Sequence, residues 1–151
     1  MAVNTAPSYP RTSHLEVGGA IIGSSANTAT DGTGANSTRI FTADSTEGSY
    51  VNFVQLKPVS TIAATVARLW YCTDTGTFTP GTTNTAANSS NLGELSVAAW
   101  TASNTAASPN YIIPVNLFLP ASTKLFMTFG TSTGAGTTGF SVTINAGKMT
   151  A

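Results

Sequence analysis

Residues 111–130 read Y-I-I-P-V-N-L-F-L-P-A-S-T-K-L-F-M-T-F-G. Tyr111, Ile113, Val115, Leu117 and Leu119 fall on one side of an extended chain, and Leu125, Met127 and Phe129 resume that phase after Pro120. A period of two belongs to half-buried strands, and proline followed by Ala-Ser-Thr predicts the turn between them. If the strands pair as a hairpin, Phe118 and Phe126 stand together on the opposite face and need a partner. If the strands instead face each other across a core, the two rings are apart. Both geometries keep the same apolar set inside.

The rest of the chain follows the same rhythm. Strands are predicted at residues 14–22, kinked at Gly18 and Gly19, and at 38–42 around Ile40 and Phe41. Across 49–57 the phase of Val51 and Phe53 gives way to that of Val54 and Leu56, which demands a bulge or burial on both faces. Residues 62–72 contain Val66, Trp70 and Tyr71, whose β-branched and aromatic side chains favour a strand over a helix. Within that run Arg68 reads as an arginine snorkelling at a strand edge. Residues 92–100 alternate Leu95 and Val97 against Glu94 and Ser96, and residues 140–145 alternate Phe140, Val142 and Ile144 with polar neighbours. Beyond 145 the chain trails off.

Clusters of Gly, Pro, Asn and Ser separate these runs. Asp31-Gly32-Thr33-Gly34 reads as a turn, because a calcium loop needs more carboxylates than it holds. Residues 73–91 are the most biased stretch, a long exposed loop with Phe78 as its one anchor. Asn-Thr-Ala recurs at Asn4, Asn27, Asn84 and Asn104, and the uneven spacing marks compositional bias rather than a structural repeat. The pattern predicts an all-β domain, an antiparallel β-sandwich of jelly-roll type with about eight short strands, over residues 14–151. Residues 1–13, with Pro7 and Pro10 and little to bury, read as an extended N-terminal arm.

Composition narrows the chemistry. Only 8% of the 151 residues are charged and the formal net charge is zero, so copies of the chain repel one another little. Arg11, Arg39, Lys57, Arg68, Lys124 and Lys148 do not cluster in sequence, which argues against nucleic acid as a partner. No apolar run approaches the ~20 residues of a membrane span, and the first residues lack the basic start and apolar core of a secretory signal. The expectation is a chain that stays in a cytoplasm unless something larger carries it out. Cys72, the single cysteine, follows Leu69-Trp70-Tyr71 and reads as a small buried hydrophobe.

No reaction signature stands out. Asp44 and Glu47 share a turn, while Glu16, Asp31, Asp74 and Glu94 are scattered, so no acid–base pair is evident. One histidine, His14, and one cysteine do not make a metal site. No cofactor and no enzymatic activity are expected. Exposed aromatics of a β-sandwich can stack on sugars, and Trp100, Tyr111, Tyr71 and Phe78 are the candidates. Against this, Trp70 and Tyr71 are expected in or near the core, with Trp100 sealing a sheet edge.

Several short motifs occur in order across residues 31–147: Asp31-Gly32-Thr33-Gly34, Arg39-Ile40-Phe41-Thr42-Ala43, Ala64-Thr65-Val66-Ala67-Arg68, Thr101-Ala102-Ser103-Asn104-Thr105-Ala106-Ala107, Pro114-Val115-Asn116-Leu117, Leu119-Pro120-Ala121 and Phe129-Gly130-Thr131. Through them the chain resembles a family of small virion structural proteins of tailed bacteriophages and prophages. That resemblance implies a capsid decoration, or cement, protein of β-sandwich fold, a homotrimer on the outer capsid surface. Its partner would be the major capsid protein, and it would assemble in the host cytoplasm. The arm residues Tyr9, Pro10 and Arg11 are then expected to dock on the capsid, and Phe118 and Phe126 to serve self-association. A tail or surface-fibre module binding host glycan is the alternative.

Overall fold

The computed structural model describes residues 10–14, 21–23, 25–133 and 138–149. Among them lie nine strands and no helix: β1 (Pro10–His14), β2 (Ile21–Ile22), β3 (Thr38–Thr42), β4 (Ser49–Pro58), β5 (Thr65–Cys72), β6 (Ser89–Val97), β7 (Tyr111–Leu119), β8 (Lys124–Phe129) and β9 (Phe140–Met149). All pairings are antiparallel. One sheet runs β1-β9-β4-β7, with β2 also on β9, and the other runs β3-β8-β5-β6. From β2 onward, only the step from β5 to β6 stays within one sheet.

Both sheets contribute to a single main core. Val51, Val54 and Leu56 of β4, Ile113 and Leu119 of β7 and Val142 and Ile144 of β9 meet Ala67 and Leu69 of β5 and Leu125, Met127 and Phe129 of β8. The rings of Phe129 and Phe140 stack between the sheets at 5.1 Å. Each of the larger apolar side chains, once buried, stabilises the fold by about 1.5–3 kcal/mol.

β7 and β8 therefore belong to different sheets, and the hairpin reading of this stretch is set aside. The corner between them explains why. The Thr123 hydroxyl donates to the Pro120 carbonyl at 2.6 Å, but Ser122 N–H donates to Asp44 O, and Ala43 N–H to Thr123 O. The corner is tied to the turn over residues 43–48 and does not close a ladder between its own flanking strands.

Asp44 organises that junction. Its Oδ1 accepts from the amides of Thr46 (3.0 Å) and Glu47 (2.9 Å), and its Oδ2 lies 2.8 Å from Lys148 Nζ on β9. The Lys148 contact, followed by the turn amides, holds the Asp44 carboxyl well below the usual carboxylate range. A depressed folded-state pKa means stability that is present above the unfolded value, about pH 4, and is lost as the pH falls below it. Asp44→Asn should therefore destabilise most at neutral pH and low salt, and the gap in urea midpoint between variant and parent should close on acidification. A gap independent of pH would contradict this role.

The predicted phase slip in β4 is a bulge. The register against both β7 and β9 shifts between Val51 and Phe53. On β7 the matching irregularity holds Asn116 at φ +48°, because Phe53 faces Pro114 while Val51 faces Leu117. The extra residue on β7 preserves its alternation, so Leu117 still opposes buried Val51, although at 37% exposure it is only partly covered on this edge strand.

Other boundaries also move. β9 runs on through Ala146 and Gly147 to Met149, past the predicted end at 145, because β1 and β4 pair with it from both sides. β5 begins at Thr65, and Ile62 instead bridges Trp100. β6 starts at Ser89, inside the stretch read as loop. Arg68 is not at a sheet edge: β5 lies between β8 and β6, and the Arg68 Nε donates to Glu94 Oε1 at 2.9 Å on the paired strand. Of the strand predicted over 14–22, His14, Ile21 and Ile22 pair with β9, while Leu15, Val17, Gly18 and Gly19 lie outside the described residues. The boundary expected between residues 13 and 14 falls inside β1.

Candidate interaction surface

The two sheets treat their outer faces differently. In the β3-β8-β5-β6 sheet, all of β8 is buried, including the side that points away from the main core. Phe126 lies there, its ring 6.1 Å from that of Trp70 at 11° and 5.4 Å from that of Phe78. The Trp70 indole N–H donates to the Thr128 hydroxyl at 3.0 Å. Trp70, Cys72 and Phe126 form a second buried cluster, and Phe78 packs against it. Phe78 is thus the anchor predicted from sequence, and what it anchors is a cover over the sheet. Burial also pushes the Cys72 thiol up, in keeping with a small buried hydrophobe.

Asparagines hold this cover together. Asn84 Nδ2 donates to the carbonyls of Gly32 (2.8 Å) and Gly34 (3.1 Å), and its Oδ1 accepts from Gly81 N–H at 2.7 Å. Asn27 Nδ2 donates to Thr33 O at 3.0 Å, and its Oδ1 accepts from Ala29 N–H at 3.0 Å. Both amides are buried, so two of the Asn-Thr-Ala triplets that looked like bias alone supply cross-loop clamps. The Asp31 carboxylate accepts from Thr33 N–H at 3.0 Å, making the turn expected there. Gly32, at φ +83°, lies so close to β6 that a Cβ would stand 2.5 Å from that of Ser89.

Over the β4–β7 half of the other sheet, no such cover occurs among the described residues. Directly opposed residues of an antiparallel pair share a face. Phe118 opposes Tyr50, Pro114 opposes Phe53, and Ile112 opposes Gln55. Ile112 is 51% and Phe118 45% exposed, with Tyr50 and Phe53 half-buried beside them. The Phe118 ring lies over Gly48, where an added Cβ would come within 2.9 Å of it. Toward β9 the same face turns polar, with Thr143 opposite Gln55 and Asn52 Nδ2 donating to Asn145 Oδ1 at 2.6 Å. The result is an apolar strip along the β7 edge. Pro114, which has no N–H, and the bulge at Asn116 interrupt the free backbone ladder of that edge.

The structure thus separates the two phenylalanines assigned to self-association. Phe118 is exposed on β7, whereas Phe126 is fully buried on β8 of the other sheet, under Phe78. Phe126 has its aromatic partners within the chain and presents no surface to another copy. Of the expected docking residues, Pro10 and Arg11 lie in β1, where Pro10 opposes Met149, and Tyr9 lies outside the described residues. Among the aromatics considered for sugar stacking, Tyr71, Trp100 and Tyr111 pack against the main core and Phe78 against the second cluster.

One cleft was not foreseen. About 720 Å³ in volume, it opens where residues 75–80 pass β3, with Arg39 and Lys124 in its lining. These cations are far apart in sequence, but the register sets Arg39 opposite Phe126 and Thr42 opposite Lys124, so the fold brings both to one sheet face. No group of three or more His, Cys, Asp or Glu suited to a metal ion occurs among the described residues. Comparisons of the chain with protein-family models, with curated proteins and with solved structures find no match.

Proposed function

We propose that this chain is a capsid decoration, or cement, protein, a jelly-roll β-sandwich that sits on the outer surface of a tailed-phage shell and bridges neighbouring capsomers. The observation that carries the proposal is the bare apolar strip of Ile112, Pro114 and Phe118 with Tyr50 and Phe53, in a chain whose other sheet is covered by its own loops. With β1 and β2 taken as one position, the two four-position strand orders β1-β9-β4-β7 and β3-β8-β5-β6 support the jelly-roll part of this reading. The motifs shared with small phage virion proteins supply the biological setting.

The occupant of the strip is a second copy of the chain, within a homotrimer. A formal net charge of zero opposes such contact little. Because Pro114 and the Asn116 bulge disfavour strand addition, the copies meet through side chains. On the shell, a trimer engages the major capsid protein at several points, and linked contacts resist detachment far better than any one of them. The shell then opens only when contacts across capsomer seams also break.

Capsid docking is assigned to Tyr9, Pro10 and Arg11. Because residues 10–14 pair with β9, the informative truncation removes residues 1–9 only and leaves β1 in place. Its expected result is loss of occupancy on purified shells by about tenfold or more, the scale of one lost anchor, with an unchanged thermal midpoint. Full occupancy would overturn the part assigned to Tyr9, since Pro10 and Arg11 remain in β1. Copy number per particle separates this reading from a tail or surface-fibre module: a shell protein is present in many copies, a tail module in few.

A further inference from the structure

We propose that the cleft between residues 75–80 and β3 binds an acidic saccharide, its carboxylate held by Arg39 and Lys124 and its ring resting near Phe78. This site lies on the sheet opposite the apolar strip, and its success or failure is independent of the self-association proposed above.

Lys124 is only 2% exposed, yet among the described residues no carboxylate forms an ion pair with its ammonium. It donates to two neutral acceptors, the carbonyls of Asp74 at 2.5 Å and Ser122 at 3.1 Å. An ammonium has three donors, so one remains for a ligand. The nearby Asp74 carboxylate is engaged elsewhere, accepting from Gly76 N–H at 2.7 Å. Arg39 is exposed, and its Nη1 donates to the Thr42 hydroxyl at 3.1 Å, which leaves the rest of its fork free to meet a carboxylate. The lining holds these two cations and no acidic side chain. By contrast, Arg68 and Lys148 are each paired with an acid.

Charge alone would suit any small anion, and the remaining lining selects among them. Thr42, Thr75 and Thr77 are among the lining residues, and a threonine hydroxyl can donate or accept as a sugar hydroxyl requires. Phe78 supplies an apolar wall on which the C–H face of a pyranose can rest. The volume of about 720 Å³ is in the range of small-ligand pockets and holds more than a single sugar ring.

The test is a titration of the isotope-labelled chain with glucuronate, glucose and acetate at matched ionic strength, followed by amide NMR. Glucuronate is expected to shift amides in residues 37–42, 75–78 and 122–124, with acetate weaker and glucose weaker still. Arg39→Gln, an exposed change that leaves the fold intact, should weaken glucuronate by about tenfold, the scale of one charge-assisted hydrogen bond. Thr42→Val, which releases the guanidinium, should weaken it to a smaller degree. Any of three results would overturn the proposal: no shift with glucuronate, acetate as effective as glucuronate, or an Arg39→Gln titration that matches the parent.

Discussion

Phe126→Ala is expected to lower the free energy of unfolding by about 3–5 kcal/mol, the usual cost of emptying a fully buried aromatic site. The ring is the middle member of the Trp70–Phe126–Phe78 group, so its loss leaves a cavity under Phe78 and exposes the Trp70–Thr128 hydrogen bond to water. Residues 73–88 should then become sensitive to protease at denaturant concentrations where the parent resists. Urea unfolding measures the first effect and limited proteolysis the second. Phe118→Ala is the control. Its half-exposed ring should cost less than about 1 kcal/mol in the monomer. Equal losses for the two variants would mean that the outer cluster is not a core.

Charging the apolar strip should have the opposite profile. If the proposed trimer forms through this strip, Ile112→Asp combined with Phe118→Asp should convert it to a monomer in sedimentation, with little change in the monomer's unfolding. Central apolar anchors are worth about 2 kcal/mol or more each, so association should weaken by at least about a hundredfold. A parent chain that stays monomeric, or a doubly charged variant that stays trimeric, would remove the strip from the account. The variant also bears on the shell, since a monomer loses the multivalent hold and should leave capsids at lower dilution than the parent.

The two phenylalanines show what could be read in advance. Sequence alternation put both on the side away from the main core, and Phe126 does point away from it. What alternation could not supply was the partner of each. Phe126 is met by Phe78 from a loop 48 positions earlier, whereas Phe118 lies over Gly48 and stays 45% exposed. A loop rich in Thr, Asn and Gly looks exposed by composition, because its own side chains bury little. It becomes a cover here through Asn84, whose amide grips the Gly32 and Gly34 carbonyls of a second loop that Asn27 holds in shape, and only asparagines in a biased stretch hinted at that.

The same limit applied to charge. Arg39 and Lys124 share no motif, and their meeting depends on β3 pairing with β8. The bulge fared better. The phase slip between Val51 and Val54 was visible because the period of a strand is set by local backbone geometry, and one extra residue must invert it. Leu117 lies on the inward side as read, opposite Val51, because β7 advances three residues from Leu117 to Pro114 against two on β4 and so keeps its alternation. Its partial exposure follows from the place of β7 at the sheet edge.

By itself, then, the sequence determined an all-β chain, the approximate positions of most strands, the inward set of β8 and much of that of β7, and the bulge in β4. Each follows from side-chain direction alternating along an extended backbone, a property of neighbouring residues. Tertiary structure alone decided that β7 and β8 part into different sheets, that among the described residues one outer face is roofed while the β4–β7 half of the other is not, and that two distant cations share a cleft. Those outcomes rest on pairings between strands far apart in the chain, which no local period encodes.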